Sequence, residues 1–321
     1  MTMLPRRTRG IRPAEYLVGM GDVEPRVPER RVETELLLGR INAAAGCDLR
    51  LTGVAEHGES GGALYVEWPD GRRGVVTRSF SSLESMRRTA DVLNEARMLG
   101  IPVPRHDLIV PLPDDVVAIV QERLAGEPAH LVDAAVLDQI VEASQAFSGL
   151  LKSRPDLPLQ PLHLRSSGPG FMRHETLASH NERSRRLLAR IRDIGRDGSH
   201  EAVGDDLVHP DYTFGNVLFT NGRITGIVDW NGGISRGDRW LALVGLRFEM
   251  SWSTLYPDGQ HNVTPEAIAR LDQHLDAGMD PDVLLKYWAH WTLSRLDWTI
   301  SNFPQADVDL FLAVGESRLS S

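Results

Sequence analysis

Apolar residues alternate with polar ones mainly in the first third of the chain, and recur every three or four positions after it. Val32 to Ala45 places Leu36, Leu37, Ile41 and Ala44 on a helical spacing. Leu49 to Val54, Ala63 to Trp68 and Gly74 to Arg78 then predict three strands. Gly58-Glu59-Ser60-Gly61-Gly62 separates the first two, and the turn formers Pro69-Asp70-Gly71-Arg72 separate the next two. Leu83 to Leu99 returns to helical spacing, with Leu83, Met86, Ala90, Leu93 and Met98 roughly on one side. Gly100 stops this helix, and Pro102-Val103-Pro104 opens an extended segment. Leu108 to Leu112 and Val116 to Gln121 complete the pattern, a small antiparallel sheet with one inserted helix.

Beyond Pro128 the spacing is mostly helical. Val136, Ile140, Ala143, Phe147 and Leu150 form an apolar stripe, and Glu182 to Ile194 predicts a basic amphipathic helix. Further helices are predicted near Leu241 to Trp252, Pro265 to Ala277, Pro281 to Ile300 and Val308 to Arg318. Ser153 to Gly170, rich in Pro and Ser, predicts a loop or an insertion over a cleft. Residues 1–31, rich in Pro, Arg and Gly, predict an arm without fixed structure.

Composition narrows the possible functions. The chain has 321 residues and a formal net charge of −9. Its length suits two lobes, each able to bury a core. The negative balance argues against nucleic acid as a partner and is compatible with a cationic small substrate. The single cysteine, Cys47, excludes an intramolecular disulfide framework and fits a reducing, cytoplasmic compartment. No apolar run approaches the roughly 20 residues that span a bilayer, so no membrane partner is expected. Met1 to Tyr16 is basic but lacks the apolar stretch of a secretory signal.

The candidate chemistry lies in Val208-His209-Pro210-Asp211-Tyr212-Thr213-Phe214-Gly215-Asn216-Val217-Leu218-Phe219 and in Ile227-Val228-Asp229-Trp230. Asn216 is five positions beyond Asp211, and Asp229 ends an apolar run thirteen positions later. That arrangement suits a short loop, a hairpin and a carboxylate emerging at a strand end. Phosphoryl transfer needs such a set: a carboxylate near the incoming hydroxyl and two oxygen ligands for Mg²⁺. Each residue alone reads equally well as a turn former. The whole H-x-D-x-x-x-x-N with V-D-W is far harder to obtain by chance.

At these residues the chain resembles the aminoglycoside phosphotransferase family of small-molecule kinases, which typically reads H-G-D-x-x-x-x-N and then D-W or D-F-E. Pro210 stands where that family has Gly. Gly100-Ile101-Pro102-Val103-Pro104 is a second point of resemblance, and Gly237-Asp238-Arg239-Trp240-Leu241-Ala242 a third. The resemblance implies an α+β, bilobal, protein-kinase-like fold with a small antiparallel-sheet N-lobe and a mostly helical C-lobe. It divides the chain into an arm (1–31), a nucleotide-binding lobe (32–121), a hinge (122–128) and a helical lobe (129–321). It implies transfer of the ATP γ-phosphoryl group to a hydroxyl of a small molecule, most naturally an antibiotic. A metabolic kinase for an amino alcohol, sugar or nucleoside is the alternative enzyme. A catalytically inactive kinase-like binding module is the alternative of another class.

Under this resemblance Asp211 is the catalytic base, with His209 supporting its loop, and Asn216 and Asp229 are the Mg²⁺ ligands. Ser60, Gly61 and Gly62 become the phosphate-covering loop, although the same glycines suit a hairpin turn. Arg78 occupies the third-strand position where many members carry a phosphate-binding Lys. Its carboxylate partner is unassigned: the alignment puts Thr89 at the family's Glu, with Asp91, Glu84 or Glu95 as substitutes in a shifted helix. Glu122 to Leu124 would hold adenine through backbone groups, which leaves ATP and GTP both open. Asp238, Glu249, Trp291 and Asp297 are acceptor-site candidates by position alone, although tryptophans at helical spacing more often build a core.

Overall fold

A computed structural model describes residues 27–55, 63–113, 115–196, 200–256 and 262–320. Ser60, Gly61 and Gly62 lie outside these residues. In the first lobe α1 (Val27–Ala45) precedes β1 (Arg50–Val54), β2 (Leu64–Glu67) and β3 (Arg73–Ser79). There follow α2 (Leu83–Met98), β4 (His106–Pro111) and β5 (Val117–Glu122). α1 begins at Val27, five positions inside the stretch expected to be an arm.

The five strands form one antiparallel sheet in the order β1-β2-β3-β5-β4. Alternation sends two sets of side chains to opposite faces. Val66, Val76, Ala118 and Val120 pack with Leu38 and Ile41 of α1. Val117 and Ile119 pack with Met86 of α2. β5 is therefore buried on both faces, which is why it reads as an unbroken apolar run. α2 starts where the Ser82 hydroxyl accepts the Ser85 N–H at 3.1 Å. It stops at Gly100, whose φ of +83° only glycine adopts cheaply.

The helical lobe opens with β6 (Glu127–Pro128), β7 (Leu131–Val132), α3 (Ala134–Gln145), β8 (Gln160–Pro161), α4 (His174–His180) and α5 (Glu182–Ile194). It continues through β9 (Glu201–Ala202), β10 (Asp206–Val208), β11 (Val217–Thr220), β12 (Arg223–Ile227) and β13 (Ser235–Gly237). α6 (Trp240–Met250), β14 (Asn262–Val263), α7 (Pro265–Gly278), α8 (Pro281–Asn302) and α9 (Gln305–Leu319) complete it. α8 is the axis of this lobe, burying Leu284, Tyr287, Trp288, Leu293 and Leu296. Each such side chain contributes roughly 1.5–3 kcal/mol on burial. No helix among the described residues is long and apolar enough to cross a membrane.

Three expectations are revised here. α3 ends at Gln145, so Phe147 and Leu150 of the predicted stripe lie beyond the helix, before and after the left-handed Gly149. α4 had no counterpart in the sequence reading. The Pro- and Ser-rich segment 153–170 is pinned to the helical lobe. His290 and His174 hydrogen-bond the backbone carbonyls of Leu162 and His163 at 3.0 and 2.9 Å, and Arg236 N–H donates to Pro158 O.

Candidate active site

The loop between β10 and β11 alternates buried and accessible side chains. His209, Tyr212 and Phe214 are buried, whereas Asp211 is exposed and Asn216 half-buried. Tyr212 donates its hydroxyl to Ile140 O at 2.9 Å, anchoring the loop to α3. The Asp211 N–H donates to His209 Nδ1 at 3.0 Å, so Nδ1 is the acceptor and Nε2 carries the proton. Nε2 then faces Val228 O at 3.0 Å. Burial pushes the imidazole down to about 3, so it stays neutral. His209 is thus a strut between the residue bearing Asp211 and the strand end bearing Asp229.

The hairpin β11/β12 turns through Asn221 and Gly222, both at positive φ, as a tight hairpin connection requires. It returns the chain so that Val228 N–H donates to Asn216 O at 2.9 Å. Asn216 Nδ2 donates to the backbone and side-chain oxygens of Asp211 at 2.8 and 3.3 Å. That leaves its amide oxygen as the side-chain atom that could ligate a metal ion. Asp211, Asn216 and Asp229 are therefore joined by a short hydrogen-bonded frame. Asp229 sits at φ +65°. A left-handed non-glycine residue at such a place is a stored strain of order 1–3 kcal/mol. Trp230 is buried against His209 at a ring separation of 4.2 Å and closes the frame from below.

Residues after Asp229 carry contacts that sequence reasoning missed. Asn231 Nδ2 donates to Asp229 Oδ1 at 2.6 Å, and Asn231 Oδ1 accepts from Thr77 Oγ1 of β3 at 2.8 Å. The Ser79 hydroxyl donates to Asn231 O at 2.5 Å, and the Ser81 hydroxyl to Gly232 O at 3.2 Å. Gly232 passes so close to Pro210 that an added Cβ would lie 2.9 Å from the proline Cβ. The proline at the family's glycine position is thus accommodated by a glycine on the facing loop. The period-two run Thr77, Ser79, Ser81 was the only sequence trace of this junction.

Arg78 falls on the other face of β3. Its Cα partner is Ala118, which packs under α1, whereas Thr77 and Ser79 pair with Ile119 and Val117 on the α2 side. Arg78 is exposed, and Thr77 makes the contact to the segment after Asp229. Thr89 is fully buried and bonds its own helix at Ser85 O. Glu84 pairs with Arg88, and Glu95 with Arg154 at 3.1 Å.

The segment expected to be a hinge is tied to both lobes. β6 pairs with β11, and Thr225 Oγ1 donates to Ala125 O at 2.6 Å. The Glu122 side chain bridges to Arg97 at 2.8 Å, and its N–H donates to Arg105 O. Leu124, half-buried over Gly226 of β12, hydrogen-bonds no other described residue through its backbone.

The acceptor candidates separate from this frame. Asp238 accepts from Trp240 N–H at 3.0 Å and from the Tyr287 hydroxyl at 3.1 Å, which spends both oxygens on α6 and α8. Asp297 is fully buried and binds the Arg173 N–H at 2.8 Å, out of reach of a dissolved acceptor. The Trp291 ring lies on Gly245, where an added Cβ would meet it at 2.5 Å, and donates to Leu241 O. Glu249 stands 4.0 Å from Arg295, which covers the Trp291 ring. Asp238, Trp291 and Asp297 build the lobe.

Among the described residues no group of three or more His, Cys, Asp or Glu side chains converges as a metal cage. One amide oxygen and one carboxylate remain, a hard donor pair that suits Mg²⁺, which keeps water and phosphate oxygens as its other ligands.

A profile of the phosphotransferase enzyme family (APH) matches residues 54–241, more than half of the chain. The chain belongs to that family. It is a phosphotransferase with an alcohol group as acceptor. The crystal structure of aminoglycoside phosphotransferase APH(4)-Ia shares the fold at 18% identity and a TM-score of 0.61, over 90% of this chain and 98% of that one. A thermostable mutant of the same enzyme, in ternary complex with AMP-PNP and hygromycin B, aligns at 16% identity and a TM-score of 0.61, over 85% and 93%. A putative fructosamine-3-kinase from Thermobifida fusca YX-ER1 aligns at 14% identity and a TM-score of 0.54, over 88% and 98%. No curated protein matches the sequence. The phosphotransferase therefore has the kinase-like fold that the motifs implied.

Proposed function

We propose that this phosphotransferase moves the γ-phosphoryl group of ATP to a hydroxyl of a small-molecule antibiotic. The observation that carries the reading is the His209 strut, which binds Asp211 N–H on one side and Val228 O on the other. Asp211 orients the acceptor hydroxyl for in-line attack and takes its proton as the oxygen–phosphorus bond forms. In a loose transition state orientation matters more than basicity. Asn216 and Asp229 are the residues that would hold Mg²⁺, which when bound neutralises charge on the phosphates. The backbone N–H and C=O of Leu124 are the groups that would hold adenine. The net charge of −9 draws in cationic acceptors, and a fold relative is known in complex with hygromycin B.

The test is a phosphorylation screen across hydroxyl-bearing antibiotics and metabolites, with mass spectrometry reading one added phosphate. The expected result is ATP- and Mg²⁺-dependent modification of an antibiotic. Asp211→Ala should lose several orders of magnitude in kcat and still bind ATP. Full activity in that variant overturns the catalytic assignment, and a metabolite as the only acceptor overturns the antibiotic.

A further inference from the structure

Among the contacts that join the two lobes is a side chain with no part in the proposed chemistry. Asn231 touches three groups at once. Its Nδ2 donates to Asp229 Oδ1 at 2.6 Å, its Oδ1 accepts from Thr77 Oγ1 at 2.8 Å, and its backbone carbonyl accepts from the buried Ser79 hydroxyl at 2.5 Å. Thr77 and Ser79 belong to β3 of the sheet lobe, and Asp229 ends the hairpin of the helical lobe. A primary amide is the side chain that can do this. It donates to a carboxylate and accepts from a hydroxyl at the same time, which a carboxylate in its place cannot.

This arrangement has a mechanical consequence. Asp229 is held at φ +65° and has a short bond to Asn231, so its carboxylate orientation is tied to where Asn231 stands. Asn231 in turn is held by two hydroxyls of β3. A shift of β3 relative to the hairpin would pull on Asn231 and, through it, on Asp229. The Ser81 bond to Gly232 O continues the same junction toward α2, and a Cβ added at Gly233 would stand 3.0 Å from Ser85 Oγ.

We infer that Asn231 is a positioning residue that couples the closure of the two lobes, through Thr77 and Ser79, to the orientation of the metal-binding carboxylate of Asp229. The inference rests on the proposed role of Asp229 as a metal ligand. Asn231 acts through Asp229 and touches no reacting atom. Groups of this kind, which orient a metal ligand without touching the metal, typically change metal affinity by 10- to 100-fold.

The experiment is a titration by calorimetry of ADP, with and without Mn²⁺ as the probe metal, into wild-type protein, Asn231→Ala, Thr77→Val and the double variant. Metal-free ADP should bind all four alike. Asn231→Ala should weaken Mn²⁺·ADP by about tenfold or more, and Thr77→Val should weaken it less. The double variant should be no weaker than Asn231→Ala, because both residues act along one path. Hydrogen exchange should rise at 229–233 and in β3 for Asn231→Ala. A purely structural role would lower thermal stability and weaken both forms of ADP together, which overturns the coupling. So would equal Mn²⁺·ADP binding by wild type and Asn231→Ala, or additive losses in the double variant. Wild-type protein that binds ADP but gains nothing from Mn²⁺ defeats the metal-ligand reading instead, and with it the inference.

Discussion

His209 accepts the amide N–H of Asp211 at Nδ1, 3.0 Å away, and thereby fixes its own tautomer. The ring is neutral, buried and shared between two loops, so its removal strands two backbone groups, Asp211 N–H and Val228 O. An unsatisfied buried polar group costs about 1–3 kcal/mol. His209→Ala should therefore lose about 2–4 kcal/mol of stability and about a hundredfold in kcat, since the loop it orients carries Asp211, the proposed base. Urea unfolding and steady-state kinetics measure the two effects. A variant with unchanged kcat would remove His209 from the account of the site.

Buried histidines set how the fold responds to acid. Burial pushes His106 and His290 down to about 4 and His209 to about 3. In the unfolded chain each titrates near 6.5. Below that value the unfolded state binds more protons than the native one, so stability is complete above about pH 6.5 and falls as pH drops toward 4. Each histidine contributes a slope of up to about 1.4 kcal/mol per pH unit over that window. Urea midpoints between pH 7.5 and 4.5 should fall steeply below 6.5, and less steeply in His290→Asn. A flat profile would show these groups to be protonated, or reached by water, in the native protein.

The sequence made the frame of Asp211, Asn216 and Asp229 legible because its parts are local: five positions separate the first two, and one hairpin returns the third. The sheet lobe was legible through alternation at Val66 and Val76 and through the unbroken run of β5. The face of Arg78 was not, since polar residues flank it and a one-residue shift in register reverses every side chain. Contacts between distant segments left almost no pattern, the polar run Thr77, Ser79, Ser81 apart. Thr77 and Asn231 are 154 positions apart, and Asp297 is buried by a backbone N–H 124 positions away. Its carboxylate looked available only because Arg173 could not be placed beside it.

Gly126 marks the point where the hinge crosses the hairpin. Its φ is +110°, and an added Cβ would stand 2.5 Å from Thr225 Oγ1 and 2.7 Å from Phe219 O. Gly126→Ala adds an unfavourable backbone conformation to a clash with backbone, for a loss of about 3 kcal/mol. It should also weaken ATP binding, because β6 leaves β11. Gly222→Ala is the control. Its φ is +72°, yet nothing lies within 4 Å of the added carbon, so it should cost only about 1 kcal/mol and leave ATP binding intact. Equal losses in the two variants would show that conformation alone, and not the crowding at Gly126, matters.

Asp229 separates stability from catalysis. At φ +65° the residue carries a conformation that Asn and Asp tolerate and β-branched residues do not. Asp229→Asn keeps an oxygen able to accept from Asn231 Nδ2, so the fold should hold within about 1 kcal/mol. It replaces the carboxylate proposed as a metal ligand with a neutral amide, so kcat should drop at least a hundredfold and Mg²⁺ should be needed at higher concentration. Asp229→Val removes the acceptor and adds left-handed strain, and should be less stable than the Asn variant by about 2 kcal/mol or more. Thermal unfolding of both variants, with kinetics over a Mg²⁺ series, measures the contrast. If Asp229→Asn keeps wild-type kcat at low Mg²⁺, the carboxylate is not a metal ligand, and its strained backbone would then serve only the turn into Trp230.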